Sequence, residues 1–159
     1  MLSASAQRVQ DALNATGIAT AIIEYDVPAR TSVEAAAVLG CSVAQIAKSL
    51  IFKTASGSPI LVIASGANRV DEAKVAAFVG EPIERADAQF VRDCTGYAIG
   101  GIPPLGHARK LSTLIDRELL RFDTIYAAGG TPHAMFPLSP ADLVRAVDGS
   151  VTDVALLAG

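Results

Sequence analysis

Lys48 stands in the run Ile46-Ala-Lys-Ser-Leu-Ile-Phe52, where a short helical turn meets an aliphatic strand. A lysine flanked by apolar residues can be turned into a cleft, where it offers a fixed charge and donors to a phosphate or carbonyl. The same pattern fits a strand-edge lysine that snorkels to water. A second candidate is the loop Gly96–Gly106, Gly-Tyr-Ala-Ile-Gly-Gly-Ile-Pro-Pro-Leu-Gly. Gly100 and Gly101 let main-chain amides approach a ligand, and Pro103 and Pro104 stiffen the loop. Such a loop can donate main-chain hydrogen bonds to a carbonyl or phosphate, or serve as a tight connection. Gly129-Gly130-Thr131-Pro132-His133 can line the same cleft from the other side, or form a hairpin turn with a surface histidine. Asp71 and Lys74, three apart on a helix, read as a surface ion pair.

Other catalytic patterns are missing. No glycine loop runs into Gly-Lys-Ser/Thr, and there is no GxSxG and no HExxH. The two histidines, His107 and His133, have no paired cysteine or carboxylate cluster to complete a zinc site. No metal and no cofactor is therefore expected. Cys41 and Cys94 lie outside any CxxC spacing and read as two free thiols in a reducing compartment.

The elements that must hold these residues follow from caps and periodicity. Ser3–Thr16 has helical spacing with Gly17 as its stop. Thr20–Tyr25 is β-rich, and Thr31-Ser-Val-Glu34 is a capping box opening a helix that ends near Gly40. Ser42–Ala47 reads as another helical turn or two. Ser49–Thr54 and Pro59–Ser65 form strands around a hairpin signal at residues 55–58. Asp71–Val79 and Asp87–Asp93 read as helices. Leu111–Ile115 reads as a strand and Asp116–Leu120 as a helical turn. Thr124–Ala128 and Ala134–Leu138 are strands, Ser139-Pro140 opens a last helix, and Val151–Leu157 closes as a strand. This mixed order predicts an α+β fold with a mostly antiparallel or mixed sheet.

Composition bounds the rest. The 159 residues fit one domain, 1–159, with no repeat or linker. Hydrophobic residues at 51% against 18% charged give a chain that folds, and 5% aromatics without Trp make the core aliphatic. A net charge of −3 excludes a generally basic, DNA-coating surface, but leaves a local basic patch or a grip on one RNA end. No apolar run reaches the ~18 residues of a membrane span, and the N-terminus lacks the pattern of a signal peptide. A cytoplasmic protein is expected.

Six segments then occur in a recognisable order: Thr31-Ser-Val-Glu-Ala-Ala, Ile46-Ala-Lys48-Ser-Leu-Ile-Phe, Ala67-Asn-Arg-Val-Asp71-Glu-Ala-Lys74, Gly96-Tyr-Ala-Ile-Gly100-Gly-Ile-Pro-Pro104, Ala128-Gly-Gly130 and Leu138-Ser-Pro-Ala-Asp-Leu143. Each is weak alone, but together they resemble the YbaK family, the prolyl-tRNA-synthetase-associated editing domain, over about residues 5–157. The resemblance implies a twisted mixed sheet, almost a barrel, surrounded by helices. It implies a free-standing deacylase that hydrolyses the ester of mischarged tRNA(Pro) in trans, gripping the acceptor end, with the synthetase or an elongation factor as a further partner. Lys48 matches the family's functional lysine, which contacts the terminal adenosine or its phosphate. Gly100 and Pro104 match its GxxxP motif, whose glycine holds the substrate carbonyl or ribose hydroxyl, with Gly101 between them. His133 falls where some alanine-editing relatives have a pocket histidine, and Gly129 and Gly130 lie in the matching Ala128-Gly-Gly130 segment, taken with it as substrate-binding.

Two departures bear on the substrate. Cysteine-editing relatives carry a serine and an acidic residue around the late glycine pair, where this chain has Ala128 and Met135. The alanine-editing branch has Asn after the lysine, where this chain has Ser49. An apolar pocket rimmed by Met135 and Phe136 suits a small side chain such as alanine or 2-aminobutyrate, with cysteine not excluded. An aminoacyl ester is already activated, so a positioned water and a polarised carbonyl suffice for its hydrolysis. A binding module of the same fold without activity is the alternative.

Overall fold

Helices begin where the sequence supplies a capping side chain. The computed structural model describes residues 1–156. Helix α1 (Ala4–Thr16) starts at Ser3, whose hydroxyl accepts from the Ala6 N–H, and ends at Gly17 in the left-handed region. Strand β1 (Ile23–Glu24) leads to α2 (Ser32–Leu39), where Thr31 accepts from the Glu34 N–H. A 3₁₀ turn at Val43–Gln45 runs into β2 (Ile46–Thr54), which turns back as β3 (Pro59–Ser65). Helix α3 (Glu72–Val79) is capped by Asp71, followed by β4 (Ile83–Arg85) and α4 (Ala88–Thr95), capped by Asp87. Strand β5 (Ser112–Asp116), a 3₁₀ turn at Arg117–Arg121, β6 (Ile125–Ala128) and β7 (Ala134–Leu138) follow. Ser139 caps α5 (Pro140–Val147), and β8 (Ser150–Thr152) is the last strand described.

The sheet runs β1-β7-β6-β2-β3-β5-β8, with β4 joined to the far end of β2. Pairs β1–β7, β2–β3, β2–β4 and β6–β7 are antiparallel; β2–β6, β3–β5 and β5–β8 are parallel. The expected α+β fold on a mixed sheet is what forms. Strand β3 is aliphatic from Ile60 to Ala64, as fits a strand buried on both faces. Leu61 and Ile63 pack with Val9 and Leu13 of α1 and with Val91 of α4, while Ile60, Val62 and Ala64 pack with Val75 of α3. Each such aliphatic side chain contributes ~1.5–3 kcal/mol on burial.

Several expectations shift. β2 begins at Ile46, so Lys48 lies within the strand and not at its junction with a helix. The turn before it is 3₁₀ and only three residues long. β4 is too short to have announced itself by periodicity. Asp71 does not pair with Lys74: it caps α3, and Lys74 Nζ reaches Asp153 Oδ2 at 2.9 Å and the Ala155 carbonyl at 2.7 Å. The expected closing strand is split into β8 and a bridge between Ala155 and Val70; Leu157 lies outside the described residues. Among the described residues no helix is long and apolar enough to cross a membrane.

Candidate active site

One edge of β2 is complete and the other is broken. β3 pairs with it from Ala47 to Lys53. On the opposite edge β6 pairs only with Ile46 and Ala47, and β4 only with Phe52 to Thr54. Between them Lys48–Ile51 has no neighbouring strand, although the Ala86 N–H donates to the Ile51 carbonyl at 3.2 Å. Main-chain amides point to alternate edges along a strand. Since the Ile51 carbonyl faces this gap, the N–H and carbonyl of Ser49 face it too.

A cleft of about 380 Å³ occupies the gap. Lys48, Ser49 and Leu50 line it from β2. Thr31, Ser32 and Val33, the cap and first turn of α2, form a second side. First-turn N–H groups have no acceptor within their own helix, and the positive end of the helix dipole lies there. Ile99, Gly100 and Ile102 come from the glycine-proline loop, and Ala128 and Met135 from β6 and β7. Arg30 and Arg85 complete the charge: three cations line the cleft and no lining residue is acidic, in a chain of net charge −3.

Lys48 Nζ donates to the Asn68 carbonyl at 2.6 Å. Half-burial pulls its pKa below the ordinary lysine value, Arg85 adds to the pull, and Asp116 opposes it. The Ser49 hydroxyl is buried and has no hydrogen-bond partner. A buried hydroxyl left unpaired is costly, and among the described residues Ser49 Oγ is the one buried side-chain polar atom in that state.

The loop carrying Gly100 is held from behind. Tyr97 Oη donates to the Gly106 carbonyl at 2.9 Å, and His107 Nε2 to the Pro103 carbonyl at 2.7 Å. Burial holds the His107 pKa below its ordinary value of 6.5 against the opposing effect of that bond, so the ring is neutral at pH 7. Gly100 adopts φ 98°, a conformation L side chains rarely take. Gly101 sits directly on the Thr131 backbone: a Cβ there would fall 2.6 Å from Thr131 Cα.

Of the residues singled out from sequence, Lys48, Ser49, Gly100 and Met135 meet in the cleft. Gly101, Pro104, Gly129, Gly130 and His133 do not line it. Pro104 is buried within the loop. Gly129 packs against Ala134 and Ile22, and Gly130 against the Ser5 carbonyl of α1. His133 Nδ1 donates to the Tyr25 carbonyl at 3.0 Å, which ties the turn to the β1 segment. Phe136 is not on the rim. Side chains alternate along β7, so Met135 faces the cleft while Phe136 is fully buried among α1 residues on the other side. Sequence reasoning passed over Arg30 and Arg85. Arg30 directly precedes the Thr31 cap, a position at the mouth of a helix, and that was the available signal; Arg85 is on the strand that periodicity could not reveal. Among the described residues no group of three or more His, Cys, Asp or Glu is placed to hold a metal.

The arrangement is that of an α+β protein with a cationic cleft in a gap of its sheet. Comparison with known proteins makes the class specific: the chain belongs to the aminoacyl-tRNA editing domain family, whose model matches residues 26–146. It is similar to a solved structure titled "Crystal structure of a putative trans-editing enzyme for prolyl tRNA synthetase", at 40% identity and a TM-score of 0.93, covering 99% of this chain and 100% of that one. It is 31% identical to the uncharacterized protein YwhH of Bacillus subtilis (strain 168) over 122 residues, 77% of this chain and 78% of that protein. It is 22% identical over 117 residues to the "Putative Cys-tRNA(Pro)/Cys-tRNA(Cys) deacylase EbsC" of Enterococcus faecalis, 73% of this chain and 71% of that protein.

Proposed function

We propose that this protein is a hydrolase of aminoacyl-tRNA esters, acting in trans on mischarged tRNA(Pro) in the cytoplasm. The observation that carries the reading is the cleft itself: three cations, no acid and an unpaired strand edge at Ser49, in a chain of the editing-domain family. A terminal phosphate fits between Lys48 and the first turn of α2, where charge and free N–H groups coincide. The Gly100 main chain and the Ser49 edge then address the aminoacyl group.

The chemistry asks little more of the protein. Water adds to the ester carbonyl, the bond from the acyl carbon to the ribose oxygen breaks, and a proton of the water passes to that oxygen, which leaves as the ribose hydroxyl. Donors fixed around the developing oxyanion lower the barrier without reorganising. Ala128 and Met135 give the cleft an apolar end sized for a small side chain such as alanine or 2-aminobutyrate. A pocket separates single methylenes by only ~1–3 kcal/mol, so neighbouring small amino acids, cysteine included, are released too. The negative net charge limits the contact to the acceptor end, leaving the synthetase or an elongation factor to present the tRNA.

Release of amino acid from Ala-, 2-aminobutyryl-, Cys- and Ser-tRNA(Pro) tests this directly. The expected result is turnover that is fastest for the small aliphatic residues. A strict preference for cysteine defeats the substrate assignment. Salt-sensitive tRNA binding with no release from any of the four makes the protein a binding module instead.

A further inference from the structure

Asp116 is fully buried at the end of β5, outside the cleft, and among the described residues no Lys or Arg forms an ion pair with it. Three N–H groups converge on its carboxylate. Oδ2 accepts from the Ser65 N–H at 3.0 Å and from Asn68 Nδ2 at 2.9 Å, and Oδ1 accepts from the Glu118 N–H at 3.0 Å. The first two donors are the ends of one turn, which the Asn68 N–H closes on the Ser65 carbonyl at 3.0 Å. Gly66 within the turn donates to the Ile46 carbonyl at 2.7 Å. The carbonyl left over at the end of this braced turn is that of Asn68, and Lys48 Nζ docks on it.

We propose that Asp116 is the positioning residue for Lys48: through the Ser65–Asn68 turn it aims the Asn68 carbonyl at the ammonium and so fixes where that charge stands in the cleft. A lysine on a flexible four-carbon stem gains most from such a fixed acceptor. The parallel register of β3 and β5, with Ile63 opposite Ile115, brings Asp116 level with the turn. The charged groups around Lys48 are Arg85 from β4, which lowers its pKa, and Asp116 from β5, which raises it; Arg30 lines the same cleft. Asp116 thus acts on Lys48 by both geometry and charge, without touching the ligand. The proposal rests on the deacylase reading for its consequence in turnover, but its core concerns only Lys48.

The test uses two variants and two readouts. The variants are Asp116→Asn, which keeps the shape, removes the charge and turns one acceptor oxygen into an N–H donor, and Asn68→Ala, which cuts the link from turn to carboxylate but keeps the main-chain carbonyl. The chain has four lysines, so carbon-13 labelling of lysine resolves the Lys48 titration by NMR. In Asp116→Asn its midpoint moves to lower pH, and in Asn68→Ala its chemical shift changes while Lys53, Lys74 and Lys110 keep theirs. Deacylation falls about tenfold or more in both variants. In a Lys48→Ala background neither substitution lowers the remaining rate further, which a merely structural role would not give. An unchanged Lys48 signal in both folded variants overturns the proposal whatever happens to turnover. A shifted Lys48 signal in a protein whose wild type deacylates nothing supports the positioning and overturns the deacylase reading.

Discussion

Replacing Gly101 with alanine tests how the cleft is walled. The added Cβ would lie 2.6, 2.8 and 2.9 Å from Thr131 Cα, C and N, all main-chain atoms that cannot rotate aside. Ordinary carbon contacts lie at about 3.5–4.0 Å, so loop and turn must part by roughly 1 Å. Overpacking of this kind costs about 2 kcal/mol. For a chain of this length that is a fall in Tm of roughly 4–8 °C. The movement carries Gly100 and Ile102 with it, and a 1 Å misplacement near the chemistry costs about 100-fold in rate. Gly80→Ala is the control: it carries backbone strain at φ 91° that Gly101→Ala does not, nothing lies within 4 Å of the added Cβ, and it caps α3 away from the cleft. It costs about 1 kcal/mol of backbone strain and leaves the rate unchanged. Differential scanning calorimetry and single-turnover deacylation on the three proteins decide the matter. Gly101→Ala with a Tm within about a degree of wild type refutes the packing argument; a lowered Tm with an unchanged rate refutes the loop's role as a wall.

Three further substitutions probe separate parts of the site. Ser49→Ala removes a buried hydroxyl that has no partner in the free protein, so it raises Tm while weakening substrate binding, read by thermal melts and KM. Arg30→Gln and Arg85→Gln each reduce the slope of log binding against log salt for an acceptor-end RNA by about 0.7, the single-strand value for one lost phosphate contact. His107 has a folded pKa below its ordinary 6.5, so the folded state binds fewer protons than the unfolded one. Its contribution is complete above that value and is lost as pH falls through the folded pKa. Urea midpoints measured between pH 7 and pH 5 therefore drop more steeply in wild type than in His107→Gln.

The helices were legible because their starts are written locally: Ser3, Thr31, Asp71, Asp87 and Ser139 each accept the main-chain N–H their positions promise. β3 was legible as an unbroken aliphatic run. β1 and β4, of two and three residues, carry no period to read. Within the site, Lys48 and Gly100 stood out by type and by setting. The gap that exposes Ser49 did not, because it arises from where β6 stops and β4 starts, which is a property of pairing and not of any one segment. The late glycines illustrate the converse. Gly129 and Gly130 looked like ligand contacts, but their lack of a side chain is used against Ile22 and the Ser5 carbonyl. Asp71 and Lys74 had the spacing of a pair, yet each found a better partner: the α3 cap for one and the Asp153 segment for the other.

The most direct measurement is single-turnover release of amino acid from mischarged tRNA(Pro) by wild type, Lys48→Ala and Lys110→Ala. Lys110 is exposed and lies outside the cleft, with only a loose ion pair to Asp148 at 3.9 Å. Release by wild type and by Lys110→Ala, with loss of about 100-fold or more in Lys48→Ala, is the outcome the cationic cleft requires. Equal rates in all three proteins would place the chemistry elsewhere.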